Sequence, residues 1–181
     1  MTAISDPDLA LRDAQKAIQS GDFATARQIT DALLAGEPTH KEALYMAAVC
    51  ARYEGRSADA LAHLDALKSL SPDFGRAYQE EGHLKRKLGD LSGAVGAFER
   101  ATRYNPALMA SWSALADLYL QAGNTDAATN ARAQADRVRA LPCELQAVTN
   151  HIHEGRVFRA EEIARAFLQK HPTHVEGMRL L

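Results

Sequence analysis

Few residues in this chain have the type and spacing to do chemistry. His151-Ile-His153 offers two imidazoles two residues apart. On a helix such positions point to different sides, so the pair cannot chelate one ion from one face. A packed or rim histidine is the plainer reading of His151. His171 and His174 sit at a turn and lack the companions of a four-ligand site. The two cysteines, Cys50 and Cys143, are too few for a disulfide framework. Cys50 reads as a small apolar helix residue. Cys143 falls near a helix start, where a thiol pKa could drop, but an incidental thiol is the simpler reading.

The familiar catalytic signatures are missing. There is no G-x-x-x-x-G-K-S/T loop or G-x-G-x-x-G turn to cradle phosphates, no G-x-S-x-G elbow and no H-E-x-x-H pair. We therefore expect no catalytic residue, no cofactor and no metal. The basic stretch Lys85-Arg86-Lys87 and the set Arg132, Arg137 and Arg139 could meet phosphates, but acidic residues intersperse them and a solvated helix face explains them. With Lys+Arg 21 against Asp+Glu 23, the net charge is -2. Such a balance gives no bulk basic field, so neither nucleic acid nor an anionic membrane is an expected partner. No uncharged apolar run approaches the roughly 18 residues a membrane span needs. The opening Met1-Thr-Ala-Ile-Ser-Asp lacks a secretory signal. The expected compartment is the cytoplasm.

Internal repetition is the dominant signal. Glycine recurs at Gly21, Gly55, Gly89, Gly123 and Gly155, with gaps of 34, 34, 34 and 32. Five residues after each comes an alanine: Ala26, Ala60, Ala94, Ala128 and Ala160. Proline follows four of the five glycines at a fixed distance, as Pro38, Pro72, Pro106 and Pro172. The fourth unit has Ala140 there and Pro142 two residues later, so its closing helix or turn is expected to differ. Apolar spacing inside a unit is helical; Trp112, Leu115, Ala116 and Tyr119 fall on one face. Trp112 is read as packing. Glycine frees the backbone at the turn inside each unit, alanine lets the two helices approach, and proline ends the second helix. Asp6-Pro7-Asp8 reads as a helix start with Asp6 as cap.

Unit three carries Tyr78, Gly82, Gly89-Asp90, Ala94, Phe98, Ala101 and Pro106, and unit four carries Trp112, Leu115-Ala116, Tyr119, Gly123-Asn124 and Ala128, in the order of the tetratricopeptide repeat (TPR) family, which the chain resembles over about residues 7–174. The resemblance implies an all-α, right-handed α-solenoid of stacked antiparallel helix pairs. It divides the chain into a lead-in at 1–6, five units at 7–40, 41–74, 75–108, 109–140 and 141–174, and the start of a sixth repeat or capping helix at 175–181. It also implies a concave groove lined by set positions of each first helix, and hence a protein or peptide partner. Carried onto this chain, those positions give Tyr45, Val49, Arg52 and Tyr53 in unit two. Unit three gives Arg76, Gln79, His83, Arg86 and Lys87, and unit four gives Ser113, Asp117 and Gln121. Aromatic anchors beside a positive centre suit a peptide with acidic and apolar groups. The family's clamp for C-terminal carboxylates needs Lys and Asn where this chain has Leu11/Gln15, Tyr45/Val49 and Gln79/His83, so that specificity is not expected.

Two other roles are open at this level. Residues 139–181 also resemble the repeat region of bacterial TPR-containing sulfotransferases, which implies a PAPS-dependent domain beyond these residues and makes this chain the N-terminal arm of a larger enzyme. Alternatively, Val175, Met178 and Leu181 form one apolar face through which the chain could self-associate as a scaffold.

Overall fold

Each helix pair is built from the same local devices. In the computed structural model, which describes residues 6–181, Asp6 caps the first helix by accepting from the amides of Asp8 (3.0 Å) and Leu9 (3.1 Å). Pro7 takes the first helical position, where its missing N–H costs nothing. The rest of the 1–6 lead-in lies outside the described residues. At Gly21, Gly55, Gly89, Gly123 and Gly155 the backbone takes φ between 73° and 82°, a left-handed conformation that residues with a Cβ adopt only at a cost. An acceptor follows three of these glycines. Asp22, Asp90 and Asn124 cap the next helix through the amides of Thr25, Gly93 and Ala127 at 3.1, 2.8 and 3.1 Å.

The result is eleven helices, with no strand among the described residues: α1 (Pro7–Ser20), α2 (Phe23–Gly36), α3 (Lys41–Tyr53), α4 (Ser57–Leu70), α5 (Gly75–Lys87), α6 (Leu91–Tyr104), α7 (Met109–Gln121), α8 (Thr125–Arg139), α9 (Cys143–His153), α10 (Val157–Lys170) and α11 (Val175–Arg179). The prolines act as predicted. Glu37, Ser71, Asn105 and His171, each just before a proline, close the last helical bond and then turn extended, with φ of -138°, -145°, -140° and -131°. The exception is also where the spacing placed it. α8 runs one turn position longer to Arg139, its cap Ala140 stays helical in φ and ψ, and Pro142 instead precedes α9 at φ -50°.

The chain divides into two compact units. The first holds the residues up to Asp73 together with His83–Gly89; the second holds Phe74–Gly82 and Asp90–Leu181. In the first, α1 packs on α2, α2 on α3 and α3 on α4. Its core takes Ala14, Ala26, Leu33, Ala48, Ala60, Leu64 and Leu67 fully or almost fully out of water. In the second, α6 packs on α7 and α7 on α8, around Ala94, Phe98, Leu115, Leu118 and Ala131. The α9–α10 pair closes over its own cluster of Leu145, Val148, Ala160, Ala164 and Phe167. All five alanines that follow the turn glycines are buried, which lets paired helices come close.

One connection was not foreseen. Glu154, at the end of α9, ion-pairs with Arg76 of α5 and with Arg156 beside it, and its side chain is only 4% exposed. Asn105, the cap of α6, donates from Nδ2 to Asn150 Oδ1 of α9 at 2.8 Å. The fifth pair is thus tied to residues of the third. The turn that makes the tie, Glu154-Gly155-Arg156, repeats Glu54-Gly55-Arg56 in the first unit. There Arg56 binds Glu54 (2.6 Å) and Asp59 (2.6 Å), while Glu54 also meets Arg27 of α2 at 3.4 Å.

Candidate functional site

The predicted groove residues belong to both units and share no single fate. In the first unit, Arg52, Tyr53, His83, Arg86 and Lys87 line one open hollow of about 370 Å³. Arg52 and Tyr53 close α3, and the other three lie on the last two turns of α5. Tyr53 stands 55% exposed, yet its ring is fixed on both sides. It stacks on Phe23 with centroids 4.4 Å apart and planes within 8°. The Arg52 guanidinium lies 4.2 Å over the same ring, a cation–π contact that holds the charge in place. Tyr45 is half-buried on the same helix.

The electrostatics of this hollow are one-sided. His83 is half-buried, and burial, then Arg52 and Arg86, push its imidazole down to about 4. It is therefore neutral near pH 7 and adds no positive charge of its own. Arg86 and Lys87 are exposed and form no ion pair among the described residues. Part of their reason for being there is the carbonyl end of α5, which favours cations.

Val49 is the one buried member of the expected groove set. It is buried, because α3 is apolar around most of its circumference from Ala43 to Ala51, and so it presents little surface to a partner. In the second unit, Arg76 is engaged by Glu154. Gln79 Oε1 accepts from Ser111 Oγ at 3.0 Å. Ser113 and Asp117 line a separate hollow of about 340 Å³ with Arg132, Asp136 and Arg139. Its charges compensate one another: Arg132 reaches Asp117 at 3.6 Å and Arg139 reaches Asp136 at 2.5 Å. Gln121 sits at a third, mostly apolar hollow with Leu91, Val95, Leu118 and Tyr119. Tyr119 donates to Glu99 at 2.6 Å, and burial with that bond pushes its phenol up to about 12.

The other candidates behave as packing groups. Trp112 is half-buried against the second unit's core and donates from Nε1 to the Pro106 carbonyl at 2.9 Å. Cys50 is buried, and desolvation, then Glu54, push its thiol up to about 11. Cys143 is exposed, and the helix-start lowering weighed from sequence is overturned: its Sγ donates to Glu144 at 3.2 Å, and that bond raises its pKa. Sequence reasoning missed the histidine caps. Nδ1 of His40 accepts from Ala43 N (3.3 Å) and Nδ1 of His174 from Gly177 N (3.2 Å). It also missed Phe23, whose only signal was an aromatic just after the Gly21-Asp22 turn.

No helix among the described residues is long and apolar enough to cross a membrane. Comparison with known proteins is consistent with the helix-pair geometry. Residues 17–82 and 80–140 match two family models, both described as tetratricopeptide repeat. Among solved structures, a crystal structure of MamA protein is 19% identical, covers 91% of each chain and superposes with a TM-score of 0.60. A second MamA crystal structure is 20% identical over 88% of this chain and 94% of that one, with a TM-score of 0.59. MamA from Desulfovibrio magneticus RS-1, from residue 41 to its end, is 19% identical over 74% and 76%, with a TM-score of 0.62. At such identities the likeness shows the fold, an all-α solenoid. No curated protein matches the chain. These matches lend no support to a sulfotransferase parent. Repeated helix pairs, glycine turns and two repeat models spanning residues 17–140 agree, and the chain belongs to the tetratricopeptide repeat family of protein-interaction modules.

Proposed function

We propose that the chain binds a protein segment, an extended or helical peptide with acidic and apolar groups, at the open hollow of its first unit. Five repeats (7–40, 41–74, 75–108, 109–140 and 141–174) carry it, with 175–181 opening a further helix. One observation supports the reading most: Arg86 and Lys87, outside any ion pair among the described residues, stand beside an exposed Tyr53 ring already held by Phe23 and Arg52. A ring held in advance loses little freedom on binding, and aromatic and arginine side chains carry a large share of interface energy. The near balance of acidic and basic residues favours a protein over nucleic acid or membrane as partner, in the cytoplasm. The test is alanine replacement of Tyr45, Arg52 and Arg86 followed by pull-down from a lysate. Each truncated anchor is expected to cost about 2 kcal/mol of binding, so partners should be lost. Unchanged recovery refutes the site.

A second reading has its own observation. Val175, Met178 and Leu181 are all exposed in and after α11, which supports self-association through that face. Sedimentation of the chain with and without residues 175–181 decides it: a monomer in both cases removes the idea.

A further inference from the structure

We infer that the acidic anchor taken by the hollow at Tyr53, Arg86 and Lys87 is a phosphoryl group on a partner peptide, rather than a lone carboxylate. The inference rests on the peptide-binding reading above and adds the chemistry of the group bound. Two adjacent cations, Arg86 and Lys87, lack any ion pair among the described residues. A single carboxylate brings one negative charge and leaves the second cation uncompensated. A phosphorylated side chain carries about -1.5 to -2 charge at neutral pH and three strong acceptor oxygens, which matches two cations. Arginine also binds such an oxygen fork in two parallel bonds.

The contrast with the hollow at Asp117 sharpens this. There Arg132 and Arg139 already have Asp117 and Asp136, so that site has no net demand for an anion. At Tyr53 no acidic side chain among the described residues lines the hollow. The aromatic wall of Tyr53 gives the flanking peptide an apolar surface. An opening of about 370 Å³ leaves room for a tetrahedral group with its neighbouring backbone.

The test uses the full chain and three degenerate peptide pools of one length, centred on phosphoserine, serine or glutamate. Affinity is read by fluorescence anisotropy and the His83 ring by NMR. The phosphoserine pool is expected to bind at least tenfold more tightly than either other pool. Arg86→Glu and Lys87→Glu should each remove that preference, while Arg103→Glu, on an exposed position of α6, keeps it. The bound phosphoryl should also move the His83 titration upward from about 4, because the anion favours the imidazolium. Equal binding of the glutamate pool overturns the phosphoryl assignment and leaves the peptide reading standing. Binding of all pools that ignores Arg86→Glu, Lys87→Glu and Tyr53→Ala overturns both. Absence of binding by the phosphoserine pool overturns the assignment as well. Circular dichroism of each variant confirms that it remains helical.

Discussion

Gly82 lies so close to Phe98 that a Cβ built on it would come 2.7 Å from the ring. The ring has no room to yield, since Phe98 is fully buried. The pair reads as a matched set, the smallest residue opposite a large one. In the fifth pair the sizes are exchanged, with Val148 at the register of Gly82 and Ala164 at that of Phe98, both in one cluster.

Gly82→Ala is therefore expected to destabilise the chain by about 1–3 kcal/mol, the usual cost of overpacking a core. Adding Phe98→Leu should recover part of the loss, because the smaller side chain leaves space for the new methyl. Urea denaturation of the single and double variants measures both. A stabilised Gly82→Ala protein contradicts the close approach.

The Glu154 tie gives a second expectation. Glu154→Ala removes a buried carboxylate that Arg76 and Arg156 share. Breaking such a pair is costly because a buried charge loses its counterpart; with Arg76 partly exposed, the loss should be about 1–3 kcal/mol. Glu54→Ala, in the matching turn, should cost less, since the Glu54 side chain is more open to water. Hydrogen exchange should quicken in α9 and α10 for Glu154→Ala and stay unchanged in α3 and α4.

Turns and helices were legible because they rest on residues with few alternatives. A glycine at a fixed interval has one purpose at a left-handed turn, and a proline has one effect on the helix before it. The site was legible only in part. α3 is apolar on almost every side, so periodicity could not tell that Val49 faces inward while Tyr53 faces out. Arg76 looked like a groove cation because nothing local reveals a carboxylate 78 positions away. The Glu-Gly-Arg turn was visible in both places, but the partner each glutamate takes depends on packing. Histidine caps escaped because that residue is outside the usual capping set.

His83 should make stability depend on pH. Its folded pKa, about 4, lies below the ordinary 6.5. The unfolded chain therefore takes up the proton first as pH falls, and the folded form loses stability between about 6.5 and 4. At neutral pH that contribution is fully present; its size is about 1–3 kcal/mol. The advantage of the wild type over His83→Gln should shrink steadily across that window in urea titrations at stepped pH. A constant difference contradicts the burial of the imidazole beside Arg52 and Arg86.

The two thiols should separate cleanly. Cys143 is exposed and should react with Ellman's reagent in the native protein, slowed by the Glu144 bond that raises its pKa. Cys50, buried and pushed up to about 11, should react only on unfolding. Two fast thiols would place Cys50 outside the core.

Photo-crosslinking from position 53 tests the binding account most directly. With benzoylphenylalanine in place of Tyr53 in the full chain, illumination in cells should give covalent adducts with a discrete set of proteins. Those adducts should fall away when Arg86→Glu and Lys87→Glu are added. Adducts that persist in that background, or that form from exposed Phe158 and not from position 53, contradict it.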